Sequence, residues 1–99
     1  MSNISISSPF LTSFTHADFS VGTTAATLLS PVTAGQRRVM TVIQNKNGTA
    51  AIQVILNAAG STGILVPAKS NLSLDNYNGP IRCISDTAAT PVHVAYAIV

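Results

Sequence analysis

The sequence predicts an all-β fold, a single small β-sandwich of jelly-roll type with about eight short strands and an extended N-terminal arm. Short apolar runs rich in β-branched residues recur along the chain, and turn residues separate them at the spacing of a small sandwich. Helical periodicity is weak throughout. Because 99 residues suit one domain, we divide the chain into an arm, residues 1–16, and a β-sandwich domain, residues 17–99.

Each predicted strand is bounded by residues that end or interrupt pairing. Gly22 closes the first strand, Ser30-Pro31 ends the second, and Pro67 stops the fifth. The predicted strands are residues 19–21, 25–29, 38–44, 51–57, 64–66, 71–75, 81–85 and 92–99.

The third and last predicted strands carry apolar residues on both faces. A strand of this kind is covered on both sides, so we expect something other than the opposing sheet to cover the second face of each. In the third strand, Met40 and Val42 lie on one face and Val39 and Ile43 on the other. In the last strand, the second face carries His93, Ala95, Ala97 and Val99.

A polar segment, Asn45–Thr49, separates the third and fourth predicted strands. Its Asn47-Gly48 pair suits turn positions that need a positive φ angle. We therefore predict a β-hairpin that pairs these two strands.

The composition points to a protein that associates with copies or partners. Only 8% of the residues are charged, the mean hydropathy is +0.41, and the net charge is +2. Globular proteins typically have about 25% charged residues, and so few charges protect a surface poorly against association. The single cysteine, Cys83, excludes an internal disulfide, and we expect it to be a small buried apolar residue. Oligomerisation is then the remaining way to stabilise so small a domain.

Residues 1–16 differ from the rest of the chain because they are rich in serine and threonine and have no continuous periodicity. We interpret them as an extended arm that lies on a neighbouring subunit, and the alternative is a frayed terminus. The apolar anchors of this arm are Ile4, Ile6, Phe10, Leu11 and Phe14.

The sequence gives no sign of a membrane or nucleic-acid partner. The N-terminus lacks the pattern of a signal peptide, and no run approaches the ~20 apolar residues of a membrane span. Arg37-Arg38 is the only basic pair, and no aromatic residues are interleaved with it. We expect this pair to be a solvated strand start or an interface contact.

Residues with catalytic or metal-binding chemistry are few and scattered. The acids are Asp18, Asp75 and Asp86, and the histidines are His16 and His93. None has the spacing of a catalytic triad, a metal site or a carboxylate pair. We therefore expect no enzymatic activity, no cofactor and no metal. A small hydrolase would need two of the acids, or a histidine and an aspartate, within hydrogen-bonding reach.

The order of segments over residues 23–99 resembles the small all-β virion proteins of tailed bacteriophages. The segments that carry the resemblance are TTAATLLSP, RRVMTVIQNKNGTAAIQVIL, GSTGILVPAKSNLSLD, YNGPI and PVHVAYAIV. The resemblance implies a capsid decoration, or cement, protein on the capsid surface of the virion. Such proteins are commonly trimers that bridge neighbouring capsid subunits, so a homotrimer in contact with the major capsid protein or another virion protein is expected.

The first functional hypothesis is therefore a structural virion protein that stabilises the phage head. We expect its partner contacts at Phe10, Leu11 and Phe14 in the arm, and at His93 and Val99 in the last strand. The alternative is a tail, spike or fibre module that recognises a host-surface glycan or protein. Its site would consist of Tyr77 and the loops at residues 58–63, 75–79 and 86–90.

Overall fold

The computed structural model describes residues 13–99, and these residues form two antiparallel sheets of four strands each. The all-β sandwich predicted from the sequence is confirmed. The predicted arm lies largely outside the described residues. The strands are β1 (Thr15–Val21), β2 (Ala26–Leu29), β3 (Arg38–Asn45), β4 (Ile52–Ile55), β5 (Ile64–Val66), β6 (Asn71–Asp75), β7 (Ile81–Ser85) and β8 (Thr90–Ile98).

The strand order is that of a jelly roll. The first sheet has the order β1-β8-β3-β6, and the second has the order β2-β7-β4-β5. The antiparallel pairs β1–β8, β2–β7, β3–β6 and β4–β5 are nested along the chain. The chain therefore runs as one long antiparallel ribbon rolled into two packed sheets.

The predicted strand bounds agree closely with the observed ones. The bounds of β5, β6 and β7 match the prediction at both ends, and the other strands differ by a few residues. The largest difference is at β1, which begins at Thr15 and not at Phe19. Thr15 and His16, which we had assigned to the arm, therefore belong to the sandwich.

The predicted hairpin between β3 and β4 is wrong. Strand β3 pairs with β6 and β8, whereas β4 lies in the second sheet and pairs with β5 and β7. The connection crosses between the sheets, and neither Asn47 nor Gly48 has a positive φ angle. The Asn47 side chain instead accepts hydrogen bonds from the backbone N–H groups of Thr49 and Ala50, both at 2.8 Å. This Asx-type turn directs the chain into the opposite sheet.

The hydrophobic core lies between the two sheets. Cys83 is fully buried there, which confirms its predicted role as a small apolar residue. Burial raises the pKa of its thiol to about 11. The buried members of the core are Val21, Leu28, Ile43, Ile52, Val54, Val66, Ile81, Cys83, Val92 and Val94.

Strand β3 is buried on both faces, as its sequence predicted. Ile43 belongs to the core, whereas Met40 and Val42 point to the outer face of the first sheet and are still buried. The prediction for the second face of β8 holds less well. Ala97 is buried there, but Val99 is 56% exposed.

Arg38 is a buried anchor, so its predicted role as a solvated or interface residue is wrong. Its side chain is 2% exposed, while the neighbouring Arg37 is exposed. The guanidinium Nη2 donates a hydrogen bond to the Ser30 carbonyl at 2.6 Å, and Nη1 donates to the carbonyls of Tyr77 and Gly79 at 3.2 and 3.0 Å. Arg38 thus holds the start of β3 to the loops that follow β2 and β6.

Asn45 has a similar role at the other end of β3. The Nδ2 atom of its fully buried side chain lies 2.8, 3.2 and 3.2 Å from the carbonyl oxygens of Ala50, Val66 and Pro67, and these three acceptors share its two protons. Its Oδ1 atom accepts a hydrogen bond from the backbone of Asn47 at 3.0 Å. Asn45 therefore connects the β3–β4 crossing to the loop after β5.

Candidate functional site

The outer face of the first sheet brings together His16 and Asp18 of β1 and His93 of β8. Asp18 lies directly opposite His93 in the strand register, and His16 lies opposite Ala95. Side chains alternate between the faces of a strand. The core-facing residues Phe19 and Val92 therefore leave this histidine–aspartate cluster, His16, Asp18 and His93, on the outside.

The three side chains of the cluster form a chain of short contacts. Asp18 Oδ1 lies 2.7 Å from His93 Nδ1, and His93 Nε2 lies 2.9 Å from His16 Nδ1. A carboxylate can only accept, so His93 Nδ1–H donates to Asp18. In neutral His93 the Nε2 atom then has a free lone pair, and it accepts a hydrogen bond from His16 Nδ1–H.

The electrostatics of the cluster are those of an exposed surface. The hydrogen bond from His93 is the main cause that holds the pKa of Asp18 below its usual value. Lys46 Nζ adds a weak ion pair with Asp18 Oδ1 at 3.9 Å, and both of these side chains are about half or more exposed. Solvent screens such a pair strongly, so the cluster contributes little to folding stability.

This cluster supplies the histidine–aspartate pair that a small hydrolase would need, but it does not form a catalytic triad. In a triad, one ring nitrogen of the histidine faces the carboxylate and the other faces a nucleophilic hydroxyl or thiol. In this protein the second nitrogen of His93 faces His16. The sequence separates the two histidines by 77 positions, so only the pairing of β1 with β8, at this register, could have revealed the cluster.

The predicted partner-binding residues do not all fall within the described part of the chain. Phe10 and Leu11 lie outside it. Phe14 is half-buried immediately before β1, and His93 belongs to the histidine–aspartate cluster. Val99 exposes its side chain, while its backbone exchanges two hydrogen bonds with Arg37 at 2.8 and 2.9 Å.

Four large exposed apolar side chains lie toward one end of the sandwich, two on each sheet. The strand registers place the start of β3 and β5 and the end of β8 at the same end. We call it the arginine end because Arg38 anchors it, and we call the opposite end the asparagine end because Asn45 lies there. The exposed residues toward the arginine end are Ile64, Leu65, Ile98 and Val99, with exposed fractions of 43%, 62%, 41% and 56%.

The β4–β5 loop at the arginine end is held against the second sheet. Arg82 Nη1 donates a hydrogen bond to the Gly60 carbonyl at 2.9 Å, and the Gly63 N–H donates to Gln53 Oε1 at 2.9 Å. Gly63 also lies so close to β4 that a Cβ atom there would meet the Val54 carbonyl oxygen. The exposed apolar residues Ile64 and Leu65 therefore follow an anchored segment.

The loops proposed for glycan recognition do not form one surface. The loops at 58–63 and 75–79 lie at the arginine end, whereas the loop at 86–90 lies at the asparagine end. Tyr77 packs against the core, and its hydroxyl lies 2.8 and 2.9 Å from the carbonyl oxygens of Leu56 and Pro80, which share its one proton. Its half-buried ring is thus held in place by the fold.

Within residues 13–99, no three histidine, cysteine, aspartate or glutamate side chains converge on one point that could hold a metal ion. The same residues include no helix long and apolar enough to cross a membrane.

Comparison with known proteins finds similarity at the level of the fold. No family model matches the chain, and no curated protein matches it. Among solved structures, the chain is similar to one from Bacillus endospore appendages, described as a novel family of disulfide-linked pili. The TM-score is 0.65 at 17% sequence identity, and the match covers 98% of this chain and 96% of the other. The similarity shows a shared fold over almost the full length of both chains.

Proposed function

We propose that this chain is a structural subunit of a multi-copy protein assembly and that the arginine end is the surface through which it contacts other subunits. The observation that carries the proposal is the group of exposed apolar side chains at that end, Ile64, Leu65, Ile98 and Val99. Leu65 lies on β5, an edge strand, and an exposed apolar edge is prone to pair with another chain.

The low charge of the chain supports the same role. With five basic and three acidic residues among 99, the surface has little charge repulsion to keep copies apart. Strand β1 begins at the arginine end as well, so Phe14, the half-buried residue immediately before it, lies at that end.

In the first form of this assembly, the chain is a decoration protein on the capsid surface of a virion. A decoration protein binds there to the major capsid protein or another virion protein as a closed oligomer, expected to be a trimer. The sequence resemblance to phage virion proteins supports this form. The apolar arginine end gives each copy a surface on which many weak contacts act together by multivalency.

The second form is a pilus-like filament, and the similarity to the endospore appendage structure favours it. That structure is described as disulfide-linked. In this chain the only cysteine is Cys83, which is fully buried in the core. A filament of this chain would therefore be held by non-covalent contacts, and reducing agents would leave it intact.

Sedimentation velocity and negative-stain electron microscopy of the full, untagged chain test the proposal. We expect oligomers at micromolar concentration, closed and small for a decoration protein or open and helical for a filament. Replacing three apolar residues at the arginine end (Leu65→Ser, Ile98→Ser and Val99→Ser) should shift the protein to the monomer. The control Ala88→Ser makes an apolar-to-polar change at the exposed asparagine end and should have no effect. A wild-type protein that stays monomeric and forms no filament would contradict the proposal.

A further inference from the structure

The two ring nitrogens that meet in the histidine–aspartate cluster are the starting point for a further inference. His16 Nδ1 and His93 Nε2 are 2.9 Å apart, their ring centroids are 5.1 Å apart, and the rings are tilted by 32°. Both rings lie on the outer face of the first sheet, where solvent reaches them. Neutral imidazole is a common ligand for transition metals.

The hydrogen bonds of the cluster prepare His93 to bind a metal. Asp18 Oδ1 accepts the Nδ1 proton of His93 at 2.7 Å, so the Nε2 lone pair points away from Asp18 and toward His16. A carboxylate that accepts from the far nitrogen of a histidine ligand fixes its tautomer, orients its ring and raises its basicity. Asp18 has this position relative to His93 although it would not touch the ion.

The two nitrogens are near enough to share one metal ion. With metal–nitrogen bonds of about 2.05 Å, two ligands at a right angle lie about 2.9 Å apart, and two at the tetrahedral angle lie about 3.3 Å apart. The observed 2.9 Å is a hydrogen-bond distance, so a small movement of the rings brings the nitrogens to either separation. For nitrogen ligands, the affinity of divalent first-row metals is highest for Cu(II) and lower for Ni(II).

We propose that His16 Nδ1 and His93 Nε2 form a surface site for a divalent transition-metal ion, Cu(II) most tightly and Ni(II) more weakly, with Asp18 as the positioning residue of His93. Binding moves the His16 proton from Nδ1 to Nε2, and the two rings turn so that both lone pairs point at the ion. Since residues 13–99 bring no third ligand to this point, water or a second copy of the chain completes the coordination.

The charges around the cluster allow a divalent cation. Among the described residues, the charged groups at the cluster are the Asp18 carboxylate and, 3.9 Å from it, Lys46 Nζ. Lys46 lies in the connection after β3 and pairs with Asp18, on the side of the cluster away from the two facing nitrogens. Asp18 offsets its charge, so an ion between the histidines meets a nearly neutral surface.

Isothermal titration of untagged, metal-free protein with CuSO₄ and NiSO₄ at pH 7.5 tests the site, together with the electron paramagnetic resonance spectrum of the copper form. We expect one Cu(II) per chain, or one per two chains if a second copy completes the site, with nitrogen hyperfine splitting from two imidazoles. Nickel should bind more weakly than copper. His16→Ala and His93→Ala should each weaken copper binding at least tenfold, and Asp18→Asn should weaken it about tenfold.

Two controls make the outcome decisive. Lys46→Ala removes the neighbouring positive charge but no ligand, so binding should be unchanged or slightly tighter. Circular dichroism should show that the exposed histidine variants keep the fold. Copper binding that persists unchanged in either histidine variant, or no binding below millimolar copper, would overturn the proposal. Neither result depends on whether the chain forms a decoration protein or a filament.

Discussion

The two ends of β3 are anchored by buried polar side chains of different chemistry. At the arginine end, a charged guanidinium binds the carbonyls of Ser30, Tyr77 and Gly79, and the Arg38 backbone N–H donates to Asn78 Oδ1 at 2.8 Å. At the asparagine end, a neutral amide binds three carbonyls and accepts one backbone N–H. Both residues thus bind loops that connect the two sheets, and both attach these loops to the central strand β3.

The difference between the two anchors lies in how well each side chain is satisfied. Both amide atoms of Asn45 have partners, whereas the Nε atom of Arg38 is buried without a partner among the described residues. Within residues 13–99 no carboxylate pairs with Arg38, and burial lowers the pKa of its guanidinium. Within this part of the chain, only carbonyl dipoles therefore stabilise the buried charge of Arg38. Burying this charge costs more free energy than burying the neutral amide of Asn45. Burying such a group costs free energy, but removing it still destabilises the fold, because several hydrogen-bond partners are then left unsatisfied.

The largest predicted effect follows from Arg38→Ala. The change leaves three carbonyls without their donor and opens a cavity where the side chain was buried, so we expect a loss of roughly 3–5 kcal/mol in the free energy of unfolding. Urea denaturation followed by circular dichroism measures it. Arg38→Lys should recover little, because one ammonium cannot reach both the carbonyls that bind Nη1 and the carbonyl that binds Nη2.

The matched control at the arginine end is Arg37→Ala. Arg37 is the adjacent, exposed residue of the same type, so its loss should change stability by less than about 0.5 kcal/mol. Equal effects of the two arginine variants would refute the anchor.

The second prediction concerns Asn45→Ala at the opposite end. Three carbonyls and the Asn47 N–H lose their partner, but no charge is involved and the cavity is smaller, so we expect a loss of about 2–3 kcal/mol in the free energy of unfolding, again measured with urea. Asn45→Asp should cost more than alanine at neutral pH, because a buried carboxylate cannot donate to the carbonyls that surround it. The control is Gln44→Ala, at the exposed neighbouring position of the same strand. An Asn45→Asp variant as stable as the wild type would disprove the donor role of this side chain.

The smallest effect is a pH dependence from Cys83, which lies between the two ends in the middle of β7. Its folded-state pKa is raised from 9.0 to about 11 by burial. An unfolded chain then loses the thiol proton at a lower pH than the folded chain, so stability falls as the pH rises from about 9 to 11. The slope for this group is at most about 1.4 kcal/mol per pH unit.

Comparison of wild type with Cys83→Ala by urea denaturation at pH 8, 9 and 10 isolates this slope, because the other titrating groups are common to both. The stability difference between the proteins should shrink with rising pH, and a constant difference would contradict the assignment.

Thiol labelling of Cys83 in the Arg38→Ala and Asn45→Ala variants then tests the two ends further. If both variants are labelled faster than the wild type, each anchor stabilises the whole sandwich. If labelling of a variant is unchanged, the loss of that anchor loosens only its own end.

Much of the fold could be predicted from the sequence because local patterns determine strands. Pro67 stopped β5 as predicted, and the predicted bounds of β6 and β7 match the observed ones. The hairpin prediction at Asn47-Gly48 failed because a turn signal does not specify which strands pair. The nesting of distant pairs, such as β1 with β8, is a property of the whole rolled ribbon.

The candidate site could not be predicted either, because it depends on the pairing of strands that are distant in the sequence. The sequence pattern assigned His16 to the arm, and Asp18 and His93 had no motif spacing. The predictions for Phe10 and Leu11 concern residues outside the described part of the chain and stay predictions. At the arginine end, Val99 was predicted as a contact residue, but the contribution of Ile64 and Leu65 became visible only when the strand registers placed them at the same end.

The amino-acid sequence by itself determined the strand positions, the buried thiol of Cys83 and the scarcity of charge, because each depends on neighbouring residues or on composition. Only the tertiary structure decided that Arg38 is buried while Arg37 is exposed, and that His16 and His93 meet. These outcomes depend on which distant strands lie side by side. Local chemistry sets what a strand can bury, and only the packing of the two sheets sets what each side chain meets.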